Sequence, residues 1–334
     1  MNRTRVGIVG AGFMGSTHAA AWAACPQARL TAIVGGPTHP PVRLAEEYGM
    51  KACADLDELL DLVDLVDVCA PTDRHHEITV RAARAGCAVV CEKPLARTPG
   101  EGADMIAACR EAGVPLLPAH VVRFFPEYAA AKAAVDAGVI GEPAVVRLTR
   151  ATFQPAKPTG TWYLDEARSG GLHLDLMVHD LDYARWVAGE VAGVQARSVR
   201  AARPDARTDH VLAILRHSSG AISHVEASWA YPPPTFRTRG EIAGSSGVLE
   251  FDSDRTAPVR PTLRARTRPG EMPLPSSPLT ESPYTAQLRH FLDVVRGVAA
   301  PIVTAEDALA AVRIATAVGR SIASGRPANV EEVA

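Results

Sequence analysis

The sequence predicts an α/β protein: a doubly wound parallel sheet in its first part, then an α+β domain on an open, mainly antiparallel sheet. Three observations carry this. A glycine-rich turn, Gly10-x-Gly12-x-x-Gly15, follows an apolar strand and opens a helical run. Apolar strands then alternate with helical periodicity as far as about residue 120, which is the pattern of a parallel sheet wrapped by helices. Beyond that point short runs with period-2 alternation take over, as in antiparallel strands. The boundary divides the chain into domains 1–120 and 121–334, with the C-terminal helix able to pack back on the first.

The run 5–10 is the first strand. In the turn after it, Gly10 permits the tight bend, Gly12 lets a pyrophosphate come close to the backbone, and Gly15 lets helix and strand pack closely. The amides that open the helix make an anion site. A dinucleotide held at Gly10, Gly12, Phe13, Met14 and Gly15 is therefore the expected ligand. The second strand, 30–34, ends at Gly35-Gly36, where a fold that prefers NAD usually carries a carboxylate for the ribose hydroxyls. None is present, and the nearest arginine is Arg43. NAD and NADP both stay open, with dual use or a lean to NADP expected.

Helices over 42–48 and 57–62 lead to a strand over 65–70 that ends in the turn at Pro71. A helix over 77–85, a strand over 87–91, a helix over 98–112 and a strand over 114–119 complete the first domain. Right-handed crossovers follow from the alternation. Ligands of such sheets lie outside the carboxyl ends of the strands, so Gly10, Pro71 and Lys93 share one crevice. A solvated surface lysine is the alternative for Lys93, and the strand-end position argues against it.

In the second domain a helix over 126–137 and a strand over 144–152 precede Ser169-Gly170-Gly171-Leu172-His173-Leu174-Asp175-Leu176-Met177-Val178-His179. Apolar residues here recur at helical spacing through Trp186. On a single helix Asp175 and His179 stand at i and i+4 and share a face. A carboxylate beside an imidazole orients it and stabilises its protonated form, as a general base requires. An amphipathic helix with an ordinary polar face reads the same residues equally well. Strands over 194–201, 210–216, 221–229, 238–243 and 248–251 follow. The Pro-, Arg- and Ser-rich segment 257–283 reads as a surface loop, and 281–297 and 305–324 as helices. One face of this sheet lacks helices to cover it, which points to a subunit interface.

Composition excludes several classes. The chain has 35 basic and 37 acidic residues, so it offers no polyelectrolyte footprint for nucleic acid. No apolar run is long enough to span a bilayer. The six cysteines form no Cys-x-x-Cys pair, and Cys69, Cys87 and Cys91 lie in apolar strand-like runs. Reduced buried thiols and a cytoplasmic location are expected, with no disulfide framework and no metal site. A zinc site of His173, Asp175 and His179 is disfavoured because His173 lies off the shared face.

Gly10-x-Gly12-x-x-Gly15, Glu92-Lys93-Pro94 and Gly170-Gly171-x-x-x-Asp175-x-x-x-His179 together resemble the Gfo/Idh/MocA oxidoreductases, over nearly the whole chain. The resemblance implies an N-terminal Rossmann domain that binds NAD or NADP and a C-terminal α/β domain with an open sheet. It implies hydride transfer between nicotinamide and a secondary alcohol or ketone of a sugar, cyclitol or related polyol. Carried over by residue, it implies cofactor contacts at Gly10, Gly12, Phe13, Met14, Gly15, Gly35, Gly36, Ala70, Pro71, His75, Glu92 and Lys93. Lys93, Asp175 and His179 would be catalytic, and Arg123 and Trp162 would join them around the substrate. His179 would take the hydroxyl proton, Lys93 would hold the alkoxide, and Asp175 would bind a substrate hydroxyl. A homodimer or homotetramer through the C-terminal sheet is expected. The sequence departs from the family in lacking the acidic residue after the second strand, in having Trp162-Tyr163 where Trp-Arg is common, and in having His120 where Asn is common. Two rival readings are a glycosidase that oxidises its substrate transiently and a cofactor-binding regulator without turnover. The presence of Lys93, Asp175 and His179 argues against the regulator.

Overall fold

The computed structural model describes residues 3–154, 161–200, 208–232, 234–254, 260–263 and 281–333. The chain forms two compact units: residues 1–124 with 281–309, and residues 125–280 with 310–334.

The first unit carries six parallel strands: β1 (Thr4–Val9), β2 (Ala28–Val34), β3 (Lys51–Ala52), β4 (Leu65–Val68), β5 (Ala88–Glu92) and β6 (Leu116–Ala119). Their spatial order is β3-β2-β1-β4-β5-β6, the doubly wound order with its reversal between β1 and β4. The central strands are buried on both faces, which explains their unbroken apolar runs. Helices α1 (Phe13–Ala23), α2 (Val42–Tyr48), α3 (Leu56–Leu60), α4 (His75–Arg84) and α5 (Pro99–Ala112) are the crossovers. The short β3 has no counterpart in the sequence reading, since two residues give no period to detect. Helix Pro283–Val295 lays Leu288, Phe291 and Leu292 into the same core as Trp22 of α1 and Val6 and Ile8 of β1.

The second unit is built on a sheet of eight strands: β7 (Pro143–Thr152), β8 (Val191–Arg200), β9 (Thr208–His217), β10 (Ile222–Ser228), β11 (Phe236–Gly244), β12 (Gly247–Asp252), β13 (Arg260–Leu263) and β14 (Ala328–Asn329). Their order is β13-β12-β11-β7-β10-β9-β8-β14. Only the central β7–β10 pair is parallel; the other pairings are antiparallel. The predicted surface loop 257–283 is corrected in part: residues 260–263 pair with β12 as a strand, where Pro, Arg and Ser content argued for a loop. The remainder of that loop, apart from its last residues, lies outside the described residues. Helices α6 (Pro126–Asp136), α7 (Glu166–Ser169), α8 (Gly171–Asp175) and α9 (Val178–Ala188), with helix Ala305–Ser324, supply the remaining helical structure.

The sheet shows clean alternation. In β9, Val211, Ala213 and Leu215 are buried, while Leu212 and Ile214 are exposed on the opposite face. Beneath the helices, the Arg150 guanidinium of β7 grips the Asp180 carboxylate of α9 with two hydrogen bonds, at 2.7 and 3.0 Å. Both side chains are buried, and the Tyr128 hydroxyl lies 3.3 Å from the same guanidinium.

Candidate active site

Four strand ends of the first unit, those of β1, β2, β4 and β5, build one ligand crevice. At the end of β1, Gly10 adopts φ 117° and a Cβ there would lie 2.4 Å from the Cys69 carbonyl oxygen, so only glycine lets β1 and β4 approach this closely. A Cβ on Gly15 would strike the Gly10 carbonyl oxygen at 1.9 Å. Gly12 differs: its nearest neighbour would be His39 Cδ2 at 3.6 Å. The protein leaves that side of the turn open, beside the amides of Phe13, Met14 and Gly15 that begin α1 and have no partner one turn back. An open glycine beside free helix-opening amides suits a pyrophosphate. Phe13 itself is 78% exposed at the turn.

The β2 end differs from expectation at Gly35. A Cβ there would lie 2.5 Å from His39 O and 2.8 Å from Pro41 Cδ, because Gly36 and His39 close a tight turn through reciprocal backbone hydrogen bonds. No side chain can stand at Gly35, whereas Gly36 opens on free space. The loop instead brings His39 against Gly12 and Arg43 within 3.4 Å of Ser16 Oγ.

At the β4 and β5 ends, the Lys93–Pro94 peptide is cis and Lys93 is half-buried. Two residues assigned to the cofactor turn inward. His75 is buried, with Nδ1 2.9 Å from Pro94 O and Nε2 3.0 Å from Ala70 O. It lies between the β4 and β5 loops; burial lowers its pKa, and as a neutral imidazole it donates to one of these two carbonyls. Glu92 is buried too; one oxygen accepts from its neighbour's amide, Lys93 N, at 3.0 Å and the other faces His18. Both make these contacts within the loop, a supporting role the sequence did not suggest. Arg123 is placed with its guanidinium buried, bonding to Ile302 O at 2.9 Å and Asp307 Oδ2 at 3.2 Å. Nothing in the local sequence could reveal a partner 184 residues away.

In the second unit the predicted single helix is two. α8 ends at Asp175 and α9 begins at Val178. The Met177 amide reaches back five residues to Leu172 O, while the Asp180 amide reaches only three, to Met177 O. Asp175 and His179 therefore flank a helical irregularity, and the i, i+4 geometry read from the sequence does not apply. One donor to Asp175 is a residue whose role the sequence left open: Tyr163 donates its hydroxyl to Oδ2 at 2.8 Å. Burial and then the Asp175 charge raise the Tyr163 pKa, so it stays a neutral donor. Its ring lies against Trp162 and Trp229, with centroids 5.6 and 5.8 Å away. Trp162 thus forms part of an aromatic wall beside Asp175. The signal was present as the Trp162-Tyr163 departure from Trp-Arg.

His173 is directed elsewhere. Its Nε2 lies 2.9 Å from where a Cβ on Gly319 would stand, and burial lowers its pKa to about 4. In the first unit, His18, Asp67 and Cys69 each offer a ligand atom within 4.8 Å of the others. Burial pushes the Cys69 thiol up to about 12, and His18 Nδ1 already bonds to Asp67. That chemistry suits a proton better than a metal ion.

Residues 4–120 match the model described as an oxidoreductase family with an NAD-binding Rossmann fold, and residues 128–250 match the GFO/IDH/MocA C-terminal domain. Inositol 2-dehydrogenase of Rhizobium meliloti (strain 1021) is 30% identical over 98% of this chain and 99% of its own length. Myo-inositol 2-dehydrogenase of Thermotoga maritima is 31% identical over 98% of this chain and 99% of its own length. Among solved structures, GenD2 from gentamicin A biosynthesis in complex with NAD superposes with TM-score 0.84 at 28% identity, covering 98% of this chain and 97% of GenD2. Levoglucosan dehydrogenase with NADH and L-sorbose gives 0.83 at 25% identity, covering 99% of each chain. With both halves of the chain matched and relatives aligned end to end, this protein belongs to the GFO/IDH/MocA family of NAD-binding oxidoreductases.

Proposed function

We propose that this enzyme oxidises or reduces one carbon of a sugar, cyclitol or related polyol, with Lys93, Asp175 and His179 handling the alcohol. The observation that carries this reading is the Tyr163-held carboxylate at Asp175, beside an aromatic wall suited to a polyol's apolar face; the open Gly12 turn of the first unit suits the dinucleotide. The relatives named for inositol and levoglucosan support the same substrate class.

When bound, the nicotinamide supplies the hydride chemistry. The protein's own residues supply the rest. Gly10, Gly12, Phe13, Met14 and Gly15 hold the pyrophosphate. Lys93 carries the charge that meets a developing alkoxide. His179 takes the hydroxyl proton in oxidation and returns it in reduction. Asp175, fixed by Tyr163, accepts a hydrogen bond from a neighbouring substrate hydroxyl. With no carboxylate able to stand at Gly35, and with His39 and Arg43 on that loop, a 2′-phosphate meets no repulsion; dual use or an NADP preference follows.

The test is a panel of inositols, aldoses and deoxysugars with NAD and NADP, followed at the absorbance of the reduced nicotinamide. Turnover of at least one polyol with net cofactor reduction is expected. Cleavage of a glycoside with no net reduction would replace this reading by a hydrolase.

Self-association through the second unit's sheet belongs to the same proposal. Val199, Leu212, Ile214 and Ile222 are exposed at 59, 37, 39 and 48% on the face opposite the buried Val211 and Ala213. Strands β8, β9 and β10 bring them onto one face, interleaved with polar residues such as Gln195, Arg197 and Glu226. Sedimentation should show a dimer or tetramer at micromolar protein; monomer alone would contradict it.

A further inference from the structure

Behind the Glu92-Lys93-Pro94 turn lies a buried ionic cluster that the proposed reaction does not use. His18, on the second turn of α1, is fully buried. Its Nδ1 bonds to Asp67 Oδ2 at 2.9 Å, and Trp22 Nε1 donates to that same oxygen at 2.7 Å. On the other side, His18 Nε2 lies 3.0 Å from Glu92 Oε1, an ion-pair contact outside hydrogen-bond geometry. The other carboxylate oxygen, Oε2, accepts from the Lys93 backbone amide. Cys69 Sγ stands 3.4 Å from Nδ1, and the Tyr284 ring of helix Pro283–Val295 lies 6.3 Å away, tilted. Asp67 and Cys69 from the β4 end, Glu92 from β5 and Tyr284 from that helix are thus the titratable groups facing the imidazole.

Such a cluster is a poor way to stabilise a core. Apolar side chains of similar volume usually do as well or better, whereas one unpaired member is costly. A carboxylate beside an imidazole favours the imidazolium. Burial opposes that charge, but the Asp67 carboxylate outweighs it and raises the His18 pKa. What the cluster achieves, and an apolar trio could not, is to fix the Glu92 carboxylate while its second oxygen holds the Lys93 amide.

We infer that His18 is a positioning residue: with Asp67 behind it, it anchors Glu92, and Glu92 fixes the backbone from which Lys93 acts. This rests on the catalytic reading of Lys93.

The protein suits a direct test, because Lys51, Lys93, Lys132 and Lys157 are its only lysines. Selective ¹⁵N-lysine labelling of the full chain gives a spectrum in which Lys93→Met identifies the Lys93 amide by its disappearance. In His18→Gln, the Lys93 signal should move and its hydrogen exchange should quicken about 10-fold or more, while Lys132 stays in place. The kcat with the best polyol of the panel should fall about 10- to 100-fold, with NADH affinity held within about threefold. An unmoved Lys93 amide overturns the inference. If His18→Gln does not fold, Glu92→Gln keeps the shape and removes the charge, and the same displacement is required of it. Lys93→Met separates the two readings. Wild-type turnover in Lys93→Met defeats the catalytic reading itself; an inactive Lys93→Met beside a fully active His18→Gln defeats only the positioning inference.

Discussion

The Tyr163 hydroxyl donates to Asp175 Oδ2 across 2.8 Å, joining the short 3₁₀ turn Trp162–Leu164 to the last residue of α8. This bond fixes the direction of the carboxylate proposed to meet a substrate hydroxyl. A hydrogen bond to a charged group contributes about 1.5–3 kcal/mol, roughly 10- to 100-fold in an equilibrium. Tyr163→Phe keeps the ring stack and removes only the donor. It should raise KM for the polyol by about 10-fold or more and leave NADH affinity unchanged. Unaltered KM and kcat would show that Asp175 needs no such support.

The cofactor loop yields a prediction that depends on which glycine is replaced. Gly35 has no space for a side chain, and Gly36 has. Gly36→Asp should therefore shift the ratio of NAD to NADP affinity toward NAD by about 10-fold, through a ribose contact and repulsion of the 2′-phosphate. Gly35→Asp should instead disrupt the turn. Gly12→Val is the control, because the protein side of that position is open and the variant should fold while losing both dinucleotides. Calorimetric titration of each variant decides it; an unchanged ratio in Gly36→Asp would remove this loop from cofactor choice.

The buried Arg150–Asp180 pair fastens α9 to β7 next to His179. Removing one member leaves the other as an uncompensated buried charge, which costs about 3–5 kcal/mol. Arg150→Met should destabilise the protein by that amount in denaturant unfolding. Replacing both residues by apolar ones should recover most of the loss. A single variant within about 1 kcal/mol of wild type would contradict the account of this pair.

Stability should depend on pH in opposite senses through two histidines. Burial holds His173 at about 4, below its ordinary 6.5, so its contribution is complete above pH 6.5 and is lost as the pH falls toward 4. The slope is about 1.4 kcal/mol per pH unit for one such group. His75 and His217, lowered chiefly by burial, add in the same direction. His18 is raised, so its contribution is present below 6.5 and is lost only as the pH climbs through its elevated pKa. Melting curves from about pH 8 to pH 4 should show a steep acid-side fall, reduced in His173→Leu. A flat profile across that interval would contradict the assignment.

Much of this was legible in the sequence, for physical reasons that also mark where legibility ended. The strands of the first unit read clearly because burial on both faces demands unbroken apolar runs. The Gly10–Gly15 turn read clearly because steric limits leave few substitutes. Local periodicity could not show the slip at Leu176–Met177, since apolar spacing barely changes when one hydrogen bond lengthens by a residue. It could not show that Arg123 pairs with Asp307, or that His18 and Asp67 close on Glu92, because those partners meet only in the folded chain. Strand β13 was hidden by a composition that favours loops, although pairing with β12 imposes its conformation.

The central claim is that His179 exchanges the proton while the nicotinamide exchanges the hydride. Steady-state kinetics of His179→Asn across pH, with the best polyol of the panel, tests this most directly. Loss of a positioned acid–base group costs about 10²–10⁴ in rate. The account predicts a fall in kcat of that size, loss of the limb of the pH profile that reports the base, and NADH affinity close to wild type. A kcat near wild type with the same pH profile would contradict it and make His179 a structural residue of α9.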